Sequence, residues 1–309
     1  MNAKTSGRVV SMLYRPPYVG LLAFVIVFVV QALGHTVMIL MEDIFGHEYV
    51  YQSAFAMGLF GAVLLFLGMR NPREVAATWY GFWAGTFLWT GWIEFSFVWS
   101  AHTLGVPDLM DASEPGVIAT KGEYLVMMSS LGVMGSTLVY FLLNRETKCN
   151  FFIWFQRHGR LRTGKPTPGH VRNFAAITAL ETIYVIWFFY LVLLFAYDEN
   201  ILGAQHPGMY VLFFLNVIWA AYLFQRLMKF WKVTTAIRYG IPTGIIAWNA
   251  IEIGGRWKLF TEFWEHPADF ALELTLLTVG IGIAAWLAAR TPAHQKAELS
   301  REKLAAGEA

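Results

Sequence analysis

The stretch from Gly34 to Glu48 crowds two histidines and three carboxylates into fourteen residues, His35 to Glu48, at the end of a long apolar run. Imidazole and carboxylate together are the ligand set of non-haem iron, manganese, zinc or a mixed copper site. They are also the groups that carry protons through membrane proteins. Other apolar segments hold similar groups: Glu94 in the third, Glu252 in the seventh and Glu273 in the eighth, with His102 near the end of the third and Glu123 opening the fourth.

Spacing says which of these can act together. His35 and Glu42 are seven residues apart, about 20° from superimposed on one helix face, with Met38 on the same stripe. Glu94 sits within Trp89-Thr90-Gly91-Trp92-Ile93-Glu94-Phe95, and His102 is two turns further along, rotated by roughly 80°. Asn249, Glu252 and Arg256 form an i, i+3, i+7 polar stripe, and Glu252 precedes Arg256 in the favourable order for an intrahelical ion pair. Glu273 has no basic residue after it until Arg290.

The reading is of one polar layer. His35, Glu42, Glu94, His102, Glu252 and Glu273 are candidate metal ligands, and Glu94 and Glu273 are the candidate catalytic acids. Trp92, Trp99 and Trp248, with Asn249 and Arg256, would wall a pocket for an apolar small molecule or a quinone. Each has a structural alternative: a neutral His35 or a protonated Glu94 bonded across helices would serve packing alone. No two histidines show the i, i+3 or i, i+4 spacing of a strong metal motif, and iron, copper or manganese are the ions to which the set points. A haem b held between His35 and His102 is a weaker possibility. There is no His-Glu-x-x-His, histidine box, Cys-x-x-Cys-His or Walker loop.

Composition fixes what must position these groups. The 309 residues are 57% hydrophobic and 14% charged, against about 25% charged in soluble domains, with a mean hydropathy of +0.48. A spanning helix needs ~20 mostly apolar residues. That ruler predicts an all-α, polytopic bundle in a single transmembrane domain, with eight spans near 18–41, 51–69, 77–103, 122–143, 173–197, 208–230, 234–256 and 268–289. The first run is longer than the apolar part of a signal peptide and lacks a small-residue cleavage site, so it is expected to be retained. One cysteine, Cys149, excludes an intrachain disulfide framework and multi-cysteine metal motifs.

Charge orients the bundle. Lys4, Arg8 and Arg15 precede the first span, Arg70 and Arg73 follow the second, and Arg226, Lys229 and Lys232 follow the sixth. The connection 144–172 holds Arg145, Lys148, Arg157, Arg160, Arg162, Lys165 and Arg172. The intervening connections are acidic or mixed. The positive-inside rule therefore puts both termini in the cytoplasm, in a membrane of the bacterial inner type. The stretch Cys149 to His158, aromatic then basic, is expected along the inner membrane surface as a lipid anchor or a docking site. Pro242 between Gly240 and Gly244 is expected to kink or break the seventh helix, and the tail 291–309 is charged. A net charge of +2 gives no sign of a nucleic-acid partner.

Three functions remain open at this stage. One is a membrane-embedded oxidoreductase, or a subunit of one, with its His/carboxylate metal site near the periplasmic face. The second is a proton- or cation-coupled transporter using Glu94, Glu252, Arg256 and Glu181, and the third a non-catalytic subunit or assembly factor among other membrane subunits.

Overall fold

The computed structural model describes residues 15–110, 118–147, 149–165 and 167–288. Its elements are α1 (Tyr18–Met69), α2 (Glu74–Leu88), a π-helical segment (Trp89–Glu94), α3 (Phe95–Leu104), α4 (Gly122–Met128), α5 (Leu131–Leu143), α6 (Asn150–His158), α7 (Phe174–Tyr197), α8 (Pro207–Leu227), α9 (Val233–Arg256), a 3-10 turn (Phe263–Glu265) and α10 (Ala271–Ala288). Among the described residues the exception to helix is a short antiparallel strand pair, β1 (Leu109–Met110) with β2 (Ile118–Thr120). The tail 291–309 lies outside the described residues.

Among the described residues, five helical stretches are long and apolar enough to cross a membrane: Tyr18–Gly46, Glu48–Met69, Gly122–Leu143, Phe174–Tyr197 and Pro207–Leu227. They coincide with five of the expected spans, and the chain has the make-up of an integral membrane protein. Helices also occupy the other three expected segments, less apolar or shorter. The 77–103 segment is divided by the π turn, α9 carries Arg238, Glu252 and Arg256, and α10 has 18 residues.

The described residues divide at Phe95/Ser96 and at Asn173/Phe174 into two compact units, the first made of the stretches before and after the second. In the first, small residues let helices approach closely, the usual way helices associate where lipid removes the hydrophobic drive. A Cβ on Gly81 would meet the Ala175 carbonyl at 2.3 Å, and one on Gly85 the Ala179 carbonyl at 2.8 Å. The pair Gly81/Gly85 thus lays α2 parallel to α7. Gly91 abuts the Gly58 amide and the Ala54 carbonyl at 2.4 and 2.7 Å by the same measure. Gly58 meets Trp92 and Gly68 meets Tyr80, so the second half of α1 runs antiparallel to α2.

The halves of α1 join at Gly46, whose φ of 58° a Cβ would strain. Since Gly58 meets Trp92 while His35 shares a cavity with Glu94, the chain has folded back there. The first half of α1 lies along α9. Ala23 faces Gly240 and Val27 faces Gly244, Phe28 meets Trp248 edge-on, and His35 meets Glu252.

Pro242 does not break its helix. Helix α9 runs unbroken through it from Val233 to Arg256. Pro242 withholds one N–H from the Arg238 carbonyl, but the flanking glycines serve as the seat for α1 and leave no interruption.

Candidate functional site

The site begins with the register that lays α1 along α9. Because both helices rise together, His35 arrives at Glu252, and Nε2 of His35 lies 3.0 Å from Oε1 of Glu252. Trp248, one turn earlier on α9, donates its indole N–H to the same oxygen at 2.5 Å. The expected Glu252–Arg256 pairing gives way to this arrangement: Glu252 turns to His35, and the Arg256 guanidinium stands 5.5 Å from the Tyr197 ring centre.

Glu94 reaches the same place from α2. A π turn closes its hydrogen bonds over five residues instead of four, which brings Trp89 and Glu94, five apart, onto one face. Such insertions are frequent at functional sites. The Glu94 carboxylate is buried, accepts the Tyr190 hydroxyl from α7 at 2.8 Å, and is also bonded by the Trp89 side chain. His35 and Glu94 both line a cavity of ≈ 30 Å³, with Gln31, Thr86, Thr90 and Tyr190 adding polar groups and Met38 an apolar wall. That is room for one or two water molecules with several polar partners.

Trp248 also belongs to an aromatic cluster. Trp264 is buried against Trp248 with ring centres 4.8 Å apart, and its carbonyl accepts the Thr36 hydroxyl at 3.1 Å. Ala32 and Leu274 complete that core. Beside it, the Glu262 carboxylate lies against Gly255. Burial, then the neighbouring charges of Glu265 and Glu252, push the Glu262 carboxyl up to about 7.

The other expected site residues fall elsewhere. Glu42 and Glu273 are exposed, and it is Leu274, beside Glu273, that packs toward Trp248. Trp92 is not a wall of the cavity. It packs on α1, stacked on Phe55 and donating its N–H to the Phe55 carbonyl at 3.0 Å. Asn249 is buried on α9. His102, exposed, and Trp99 and Glu123 belong to the second unit, where Lys121 stands 4.0 Å from Glu123. Among the described residues no group of three or more His, Cys, Asp or Glu side chains is gathered as a metal ion would require.

Sequence reasoning missed Tyr190, Glu262 and a second interhelical charge pair, half-buried. Arg238 of α9 holds both carboxylate oxygens of Glu181 on α7, Nε at 2.8 Å from Oε2 and Nη2 on Oε1. The bidentate geometry is the strong form of such a pair. Arg238 was the available signal: a cation within an apolar helix calls for an acid at its depth, and Glu181 is that acid. Tyr190 had none, being one ring among many. No family model, curated protein or solved structure matches the chain.

Proposed function

We propose that this protein carries protons through its helical bundle, with His35, Glu252 and Glu94 as the groups that bind and pass them. The observation that carries the reading is the His35–Glu252 contact at 3.0 Å beside a small cavity that His35 and Glu94 both line. Titratable groups inside a membrane are costly and are retained chiefly where they serve ion or proton movement. Here an imidazole and a carboxylate share a proton between two helices. A water in the cavity would link them to Glu94, and the Tyr190 hydroxyl supplies a donor when Glu94 is ionised. Glu262 and Glu265 stand as acids beside the same cluster.

A metal ion held by protein side chains needs about three donors within bonding reach, and the described residues gather no such set. Proton carriage therefore takes precedence over an iron, copper or manganese site. The bundle in this reading has eight spans with both termini cytoplasmic, which reporter fusions at the connections test.

The direct test is voltage-driven proton uptake into proteoliposomes containing the purified chain, with a potassium diffusion potential and a trapped pH dye. Wild type should take up protons, Glu94→Gln and Glu252→Gln should lose at least tenfold, and Glu273→Gln, at an exposed position, should not change. Absence of wild-type flux, or flux indifferent to Glu94 and Glu252, refutes the proposal.

A further inference from the structure

The basic connection of the second unit is folded in a way that proton carriage does not use. Helix α6 is tied to the end of α5: Gln156 donates its amide to the Leu142 carbonyl at 2.7 Å and to that of Asn144 at 3.4 Å, and Phe152 meets Phe141 with ring centres 6.1 Å apart. Leu143 ends the apolar stretch Gly122–Leu143. A helix fastened to those carbonyls sits where hydrocarbon gives way to headgroups.

Its faces are sorted accordingly. Phe152, Ile153 and Gln156 are half-buried toward α5. Phe151, Trp154 and Phe155, at i, i+3 and i+4, form an aromatic stripe left exposed at 53%, 53% and 43%. The segment that follows returns to the same foot. The Thr167 amide donates to Glu146 Oε1 at 2.7 Å, and Arg145 donates to the Thr167 hydroxyl at 3.0 Å. Arg157 in the last turn of α6 and Arg160, Arg162 and Lys165 in that return are all exposed, with Arg172 beyond. Among the described residues none of these five takes part in an ion pair.

We infer that α6 and the loop after it form a docking surface for the anionic phospholipids of the adjoining leaflet, the aromatic stripe entering the acyl boundary and the cations meeting phosphate headgroups. Charge selects this occupant. Unpaired cations beside an aromatic face are the pattern of helices lying in an anionic interface, and Trp is favoured at that depth. The inference needs only that the chain is membrane-embedded and stands apart from the proton reading.

Two measurements on the full chain test it. In a Cys149→Ala background, nitroxides placed by Phe155→Cys and Arg160→Cys are compared in nanodiscs of phosphatidylcholine with phosphatidylglycerol. The label at 155 should collide with oxygen and be shielded from an aqueous nickel chelate, and the label at 160 should show the reverse. Spin-labelled phosphatidylglycerol should associate in preference to labelled phosphatidylcholine, and the triple variant R160Q/R162Q/K165Q, confined to an exposed loop, should lose that preference. High salt should weaken it. An aqueous label at 155, dipolar broadening that reveals a second copy on this face, or equal association of the two lipids in wild type would each overturn the inference.

Discussion

Replacing His35 with Ala removes the imidazole 3.0 Å from Glu252 and leaves that carboxylate with the Trp248 indole at 2.5 Å. Two magnitudes bracket the cost. Stripping one partner from a fully buried ion pair costs about 3–5 kcal/mol, whereas interhelical hydrogen bonds in membrane proteins average ~0.6 kcal/mol and reach ~1.7. The side chains here retain 23% and 27% of their exposure, so the pair is not fully buried and the upper bracket does not apply in full. We expect His35→Ala to destabilise by about 2 kcal/mol, between these limits. Glu252→Gln keeps an acceptor for Trp248 and removes the charge, so it should cost less. In the double variant the unpaired carboxylate is gone, and its loss should fall short of the sum of the singles by about 1 kcal/mol. The assay is reversible unfolding in bicelles, by detergent titration or steric trapping, for all four proteins of the cycle. Additivity within about 0.5 kcal/mol would mean that the two side chains are energetically independent. The contact on which the proton reading rests would then be spatial only.

Other consequences concern packing and titration. Gly91→Ala forces a methyl into the Gly58 amide and the Ala54 carbonyl. It should cost about 1–3 kcal/mol, whereas Gly135→Ala, with open space around it, should be neutral or stabilising in the same unfolding assay. Arg238→Gln leaves Glu181 without its cation and should destabilise by more than about 2 kcal/mol; adding Glu181→Gln should recover most of that loss. Glu262 has a folded pKa raised to about 7 from 4.5, so the stability it contributes is fully present below pH 4.5 and is lost as pH rises through 7. Glu262→Gln should flatten the stability profile across that window. Above pH 7 it should leave the variant more stable than wild type by roughly 1–2 kcal/mol, allowing for screening at a partly exposed site. An unchanged profile places the carboxyl outside the field of Glu265 and Glu252.

The spans were legible because lipid imposes a length and an apolarity that need no partner: segments 18–41, 51–69, 122–143, 173–197 and 208–230 are read from composition alone, and long apolar helices stand there. His35, Glu94 and Glu252 were legible as costly groups in apolar surroundings. That His35 would choose Glu252, while Glu42 and Glu273 turn outward, was not. The choice is set by the close seat of Gly240 and Gly244 against Ala23 and Val27, which fixes the register of α1 on α9 to a fraction of a turn. Sequence spacing reports angles within one helix and is silent on the offset between two. The same gap explains the Glu252–Arg256 pairing expected from an i, i+4 rule, since an intrahelical pair at a helix end is worth about 0.3–0.5 kcal/mol. A partner on another helix outbids so small a local preference.

The π turn shows how backbone and chemistry are joined. An α-helical Trp89–Glu94 would put these two residues on different faces, and either the carboxylate would leave the cavity or Trp89 would leave the carboxylate. The inserted residue resolves this at the cost of one irregular turn, which the Gly91 contact with Gly58 and Ala54 holds in place. Packing at Gly91 and chemistry at Glu94 are therefore one feature. A methyl at position 91 should impair proton uptake as well as stability, while Gly135→Ala should leave both intact. If Gly91→Ala lost stability yet kept full flux, the π turn would be a packing accommodation and Glu94 would owe its position to Tyr190 alone.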